Sequence, residues 1–423
     1  MIFELENRQR IFFGLEQVNE ELVRNEIDND LIYYTNKKGY IVKISYIYEY
    51  DDFLDSNGEK IKYRFDEFDT FFKLHNDKII ISESKNKVKD INKDNLYALK
   101  PTGIRFHWCR TVEISLDKNS TTYYDSQIEN ICFFTFEELR KWIDKYIAES
   151  DENEIEKIEN YKKEKSKRII AKDGDFFAFK LNRWEYGYGR VIDNLFQKYS
   201  SNKDFFENNN NLGLRFLNSP VLIKVYLYKS KEIDVDLNEL KKSISFPTFV
   251  IRDYQLLKGE YKIIGNQTLE DFEFDYPISC GLYSPDKDYP YITSSFFNWG
   301  YINYFKEDVS WYQNSFYNRY RNKTDVTHYN IQSCIDIELF ERCYNANNID
   351  LFWKKYYVEI DEIMKTEINY HRQPMIDLRS PYYEKYKIKL FNFFGIDNKI
   401  SYHNNFIKFK KTSHNSRLVL IRL

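Results

Sequence analysis

Lys172-Asp-Gly-Asp-Phe-Phe-Ala-Phe-Lys-Leu181 is followed, after a short turn, by Trp184-Glu-Tyr-Gly-Tyr-Gly-Arg-Val-Ile192. Successive side chains of a strand point to opposite faces, so Phe177, Phe179 and Leu181 share one face of the first segment. In the second, Tyr186, Tyr188 and Arg190 share a face, while Gly187 and Gly189 leave the other bare. Glycines paired at period two mean that another backbone or a large side chain passes close by. A phosphate loop is excluded: G-x-G-x-x-G needs a third Gly where Ile192 stands, and the strand runs on where a helix would open. Asp175, at the start of the first strand, is expected to bond backbone donors of the turn; contact with a partner is the alternative.

Working outward, Asp173 to Ile264 reads as strands, with Val221 to Tyr228 the next one and a polar insertion at Asn208-Asn209-Asn210-Asn211 marking a loop. Upstream, short runs rich in Ile, Tyr and Phe between Leu31 and Ile81 are separated by hairpin chemistry at Asn36-Lys37-Lys38-Gly39 and Ser56-Asn57-Gly58. Asp55 to Glu59 is a turn rather than a calcium loop, because the positions that need Gly and Glu carry Lys60 and Asp66. Thr135-Phe136-Glu137-Glu138 has the form of a capping box, and Leu139, Trp142, Ile143, Tyr146 and Ile147 follow at helical spacing. Glu149 to Arg168 is acidic and then basic, the order that suits a helix dipole. Ile337 to Ile368 contains no Gly or Pro and keeps helical apolar spacing through Leu339, Phe340, Cys343, Phe352, Trp353 and Tyr356.

The expected plan is α+β and strand-dominated. It has a β-rich module over 1–148 that ends in a helix, a charged helical linker over 149–168, a small SH3-like, partly open β-barrel over 169–322, and a helix-containing region over 323–423.

Composition narrows the function classes. Lys and Arg number 63 against 66 Asp and Glu, a net charge of -3, so the basic excess that drives non-specific phosphate binding is missing and nucleic acid is disfavoured as a partner. Tyr and Phe, 37 and 34 of them, match the bias of AT-rich coding and also supply side chains common in protein interfaces. The five cysteines form no C-x-x-C pair, which reads as reduced thiols and predicts no zinc knuckle. The opening MIFELENRQRIFFGLEQ never builds a signal-peptide core, and no run reaches the ~18 apolar residues of a membrane span. A soluble, cytoplasmic protein is expected.

Gly174-Asp175 with alternating apolar residues, a short turn and Tyr186-Gly-Tyr-Gly-Arg-Val-Ile192 resembles the opening of the immunity protein 26 family of bacterial toxin-neutralising proteins. Gly259-Glu-Tyr-Lys-Ile-Ile-Gly265 resembles that family's later strand, and the resemblance runs over about 170–300. It implies a small β-rich domain that binds and neutralises a cognate toxin without catalysis or cofactor. The residues at the turn or on the polar strand face, Trp184, Glu185, Tyr188 and Arg190, are then expected to contact the partner, with Gly174, Asp175, Gly187 and Gly189 structural.

Two other readings stay open: a nucleic-acid-binding small barrel, and an enzyme with an unrecognised site. His107 and Cys109 share a strand face and offer two metal ligands, short of the four that a structural zinc needs, so a core position is expected. Asn318-Arg-Tyr-Arg-Asn-Lys323 interleaves basic and aromatic residues as strand-gripping segments do, and is read as a solvated loop. No H-E-x-x-H pair, P-loop or nucleophile elbow is present in the sequence.

Overall fold

A computed structural model of the chain describes residues 3–54, 60–82, 87–116, 121–164, 168–201, 219–283, 294–300, 302–306, 334–356, 377–412 and 419–420. They fall into two units, Met1–Arg168 with Lys258–Glu260, and Ile169–Leu257 with Tyr261–Leu423. The Asp55–Glu59 turn, the Asn208–Asn211 loop and the Asn318–Lys323 stretch lie outside the described residues.

In the first unit, β1 (Val23–Ile27), β2 (Leu31–Thr35), β3 (Tyr40–Leu54), β4 (Lys60–His75), β7 (Ile104–Cys109), β8 (Thr111–Leu116) and β9 (Thr121–Asp125) form one antiparallel sheet in that order. β5 (Lys78–Ser82) and β6 (Lys87–Asp90) extend from the end of β4. Asn36 closes the β2–β3 turn by accepting from the Lys38 and Tyr40 amides, both at 3.0 Å. β3 and β4 are single long strands, where the sequence suggested shorter runs. Register shifts at Ile41/Lys43 and Glu49/Phe53 interrupt the period-two pattern without ending the pairing.

Strand β7 shows how this sheet divides. Ile104, Phe106 and Trp108 are buried, whereas Arg105, His107 and Cys109 on the alternate face are only half-buried. The buried face meets α1 (Asn7–Phe12), α3 (Phe136–Ala148) and the following α4 (Glu154–Lys163) in one aromatic core, with Phe13 stacked 6.2 Å from Trp142. The short α2 (Lys93–Tyr97) covers part of the opposite face, through Leu96 against Ile44 and Phe68.

The capping box of α3 forms as read: Thr135 Oγ1 accepts from the Glu138 amide at 3.2 Å, and Glu138 accepts in return from the Thr135 amide at 3.1 Å. Its five apolar positions are all buried. α4 lies within the charged stretch but does not stand free. Ile158 is fully buried in the core, and buried Glu154 accepts from the Tyr123 and Tyr146 hydroxyls at 3.0 and 3.3 Å.

In the second unit, β10 (Asp175–Lys180), β11 (Tyr186–Asp193), β12 (Pro220–Ser230), β13 (Phe249–Arg252) and β14 (Lys262–Asn266) form an antiparallel sheet in the order β13-β12-β11-β10-β14. The α+β, strand-dominated plan holds, and the expected partly open barrel is, among the described residues, an open antiparallel sheet. β13 and β14 are opposite edges of an open sheet, which is covered on both faces instead of closing on itself.

One face presents Phe177, Phe179, Val191, Ile223 and Val225 to α7 (Ile337–Ala346) and α8 (Asp350–Tyr356), through Leu339, Phe340, Cys343 and Phe352. The other presents Phe176, Ala178, Tyr188 and Tyr226 to Leu240 of α6 (Leu237–Lys242). α5 (Leu195–Ser201) follows β11. The apolar period between Ile337 and Tyr356 is carried by two short helices. Asn347, with φ +47°, returns its amide to Cys343 and Tyr344 and ends α7, and Asn348 accepts from the Asp350 amide at 2.9 Å where α8 begins. Residues 357–368 of the stretch without Gly or Pro lie outside the described residues.

A second, four-stranded sheet joins β15 (Ile278–Tyr283), β16 (Ser294–Trp299), β17 (Ile302–Lys306) and β18 (Val419–Leu420). Trp299 packs 5.2 Å from both Phe391 of α9 (Glu384–Phe394) and Tyr402 of α10 (Tyr402–Thr412). No helix of the described residues is long and apolar enough to cross a membrane.

Candidate partner-binding site

β10 and β11 pair with Phe177 opposite Gly189 and Phe179 opposite Gly187. The two phenyl rings lie on the glycines. A Cβ on Gly187 would sit 2.5 Å from Phe179 Cζ, and one on Gly189 would sit 2.3 Å from Phe177 Cζ and 2.9 Å from the Lys224 carbonyl of β12. The bare face read from the sequence is thus filled by the facing strand's own aromatic side chains. Gly174 enters β10 at φ +85°, with the Gln267 carbonyl where a Cβ would stand. Asp175 is buried, accepting from the Lys172 amide and the Asn266 side chain, both at 2.7 Å, which joins the start of β10 to β14.

The four residues expected to meet a partner separate into two pairs. Tyr188 and Arg190 are fully buried. The Tyr188 hydroxyl donates to the Glu232 carbonyl, and burial pushes its pKa up to about 12. The Arg190 guanidinium pairs with Glu273, donates to the Gln267 and Thr268 carbonyls at 2.6 and 3.0 Å, and lies 4.5 Å over the Phe176 ring. It fastens residues 267–273 to the sheet. The expectation for these two is corrected: their polar ends are consumed by the fold, and neither has surface to offer a partner. Sequence reading placed Tyr188 and Arg190 on a polar face because the groups that bury them lie 44 and 83 residues away.

Trp184 and Glu185 belong to the turn between β10 and β11 and remain partly exposed. Asn182 shapes that turn, its Oδ1 accepting from the Trp184 and Glu185 amides at 2.8 and 2.9 Å and its Nδ2 donating to Glu185 at 2.9 Å. The Arg183 guanidinium stands 4.6 Å from the Trp184 ring centroid. Lys229 of β12 bridges Glu185 at 3.3 Å and Glu341 of α7 at 3.4 Å, and its ammonium lies 4.9 Å over the Tyr344 ring. The Asn182 hydrogen bond and then the Lys229 charge, against a modest desolvation, hold the Glu185 carboxyl below its ordinary value. Arg183, Trp184, Glu185, Lys229, Glu341 and Tyr344 thus make a partly exposed patch of one tryptophan, one tyrosine and fixed charges of both signs. Arg183, Lys229, Glu341 and Tyr344 were not singled out in the sequence; Lys229 carries a weak signal as a charged residue in an apolar strand.

Residues 172–282 match the immunity protein 26 family model. The match covers about a quarter of the chain, all five strands of the open sheet and β15 except its last residue. No curated protein and no solved structure matches the chain. Within the matched residues, Gly174, Gly187 and Gly189 are at the close approaches just described, Asp175 is hydrogen-bonded at the start of β10, and Trp184 and Glu185 are at the partly exposed turn.

In the first unit, His107 does not occupy an ordinary core position. Its Nδ1 lies 2.9 Å from Asp66, a fully buried carboxylate that also takes the Nε atoms of Arg64 and Arg105, both at 2.6 Å. Cys109, on the same strand face, is half-buried, and burial raises its pKa. Among the described residues, no three His, Cys, Asp or Glu side chains converge as a metal site.

Proposed function

We propose that the immunity protein 26 region binds and neutralises a cognate bacterial toxin in the cytoplasm by protein–protein contact, through the β10–β11 turn and the patch around it. The observation that carries the reading is the family match over this sheet. The geometry supports the choice of surface. Arg190 and Tyr188 are buried in the fold, whereas Trp184 and Arg183 of the hairpin turn are partly exposed, beside the charges of Glu185, Lys229 and Glu341. Tryptophan, tyrosine and arginine dominate binding energy at interfaces, and charges held in fixed positions select the partner. Occlusion of a toxin's active site needs a preorganised surface and no catalytic group on this chain. The test is co-expression with each toxin candidate encoded beside the gene: cells are expected to survive one of them and no unrelated toxin, whereas killing by every neighbour despite this chain would refute the reading.

A further inference from the structure

The outer face of the first unit's sheet carries a second surface with different chemistry. Tyr46 and Tyr48 of β3 stand opposite Asp66 and Arg64 of β4, and Asp66 in turn stands opposite His107 of β7, so these side chains share one face. Arg105, two residues from His107, is on that face as well. Asp66 is the anchor. Its Oδ1 takes Arg105 and His107, and its Oδ2 takes Arg64.

One carboxylate thus fixes two guanidiniums, and the cations outnumber it. Arg64 spends its Nε on Asp66, and Arg105 its Nε and Nη2; they keep 31% and 28% of their side chains exposed, with His107 at 24%. Arg64 Nη2 also donates to the Tyr46 hydroxyl at 3.2 Å. A cluster of tyrosine rings, tilted to one another, adjoins them. Tyr48 is 45% exposed, 4.8 Å from Tyr50 and 6.4 Å from Tyr97, which packs 4.5 Å from Tyr46.

The geometry points to this face as a binding site for single-stranded nucleic acid, with phosphates on Arg64 and Arg105 and a base on Tyr48. Guanidiniums held by a buried carboxylate are preorganised for a phosphodiester, and exposed aromatic rings on a sheet are what unpaired bases stack on. An acidic peptide would use the same guanidiniums and leave the Tyr48 ring unused. The path of the strand is bounded on one side: Glu113 of β8 stands opposite His107 and Asp125 of β9 opposite Glu113, and both repel phosphate. The strand therefore crosses β3, β4 and β7. The net charge of -3 gives no long-range attraction, so binding is expected to be local and salt-sensitive. The inference is independent of toxin binding.

The test is fluorescence anisotropy of the full chain with a short labelled single strand of RNA or DNA, the matching duplex, and a poly-glutamate peptide, over a salt series. Single strands are expected to bind in preference to the other two. Arg64→Gln combined with Arg105→Gln should flatten the dependence of log affinity on log salt by roughly 1 to 1.5, two phosphate contacts' worth. Because that double variant strips partners from a buried carboxylate, Tyr48→Ala is the companion: it leaves Asp66 and its three partners in place and should weaken binding about 5- to 100-fold, the loss of one stacked base. No binding of any single strand, equal binding of poly-glutamate, or Tyr48→Ala binding as tightly as the unaltered chain would overturn the assignment.

Discussion

Arg190 of β11 and Arg105 of β7 are both strand residues facing a carboxylate, yet the first is fully buried and the second keeps 28% of its side chain exposed. Arg190 has Glu273 as its ionic partner, two backbone carbonyls and a phenyl ring beneath it. Arg105 shares Asp66 with Arg64 and His107. In the residues that match the immunity protein 26 family model the strand charge is paired and buried, a fastening for the segment after β14. On the first unit's sheet one buried carboxylate is shared by two guanidiniums and an imidazole that all reach solvent, so the two arginines are not matched one to one. The same residue type on the same kind of element has opposite uses, decided by how many charges share the partner and whether water reaches them.

The largest expected effect separates the two arrangements. Glu273→Ala leaves Arg190 buried and unpaired and should cost about 3–5 kcal/mol, the usual loss when one member of a buried pair is removed. Arg105→Gln leaves Asp66 with Arg64 and His107 and should cost about 1 kcal/mol or less, in the range of part-exposed pairs. Denaturant unfolding of both variants checks this, and equal losses would break the comparison.

The glycines give the next contrast. Gly189→Val must displace Phe177 or the β12 backbone and should destabilise by about 1–3 kcal/mol. Gly103 of the first unit has nothing within 4 Å of its would-be Cβ, so Gly103→Ala should change stability by about 0.5 kcal/mol or less in either direction. Melting curves of the two variants read the difference directly.

Acid should weaken the first unit through Asp66. Burial opposes ionisation there, but the His107 hydrogen bond and charge, with Arg105 and Arg64, outweigh it and hold the carboxyl well below the usual carboxylate range. A group whose folded pKa is depressed contributes stability that is present above its unfolded value, near 4, and is lost as pH falls through that value toward the folded one. Asp66→Asn should therefore be less stable than the unaltered chain at neutral pH, with the gap narrowing as pH falls below about 4. Thermal melts over a pH series report it, and a gap that stays constant or widens in acid would contradict the assignment.

What could be read in the sequence was local. The Thr135 capping box, the Asn36 turn, the two strands that open the immunity protein 26 region and the pairing of bare glycines with something large all depend on residues a few positions apart. Gly187 and Gly189 disclosed that they were covered; that Phe179 and Phe177 cover them needed the β10–β11 register. Arg190 looked like a surface residue because a charge in a strand reads as solvated unless its partner is in view, and Glu273 is 83 residues on. His107 was flagged for its neighbour Cys109, whereas its working partner is Asp66, 41 residues earlier. The open sheet was hidden for a related reason: strand signals do not say whether β13 and β14 meet, and the α7 and α8 side chains that cover one face come from beyond residue 334.

The most direct test of the toxin-binding account is a protection assay with the cognate toxin, comparing the unaltered chain with Trp184→Ala and with a variant of the buried set such as Tyr188→Phe. Trp184→Ala should fold with an unchanged melting temperature yet bind the toxin at least ~1 to 2 kcal/mol more weakly and protect less. Tyr188→Phe, which loses only an internal hydrogen bond to the Glu232 carbonyl, should protect as well as the unaltered chain once folded. Full protection and unaltered affinity in Trp184→Ala, with protection lost in a folded Tyr188→Phe, would contradict the account.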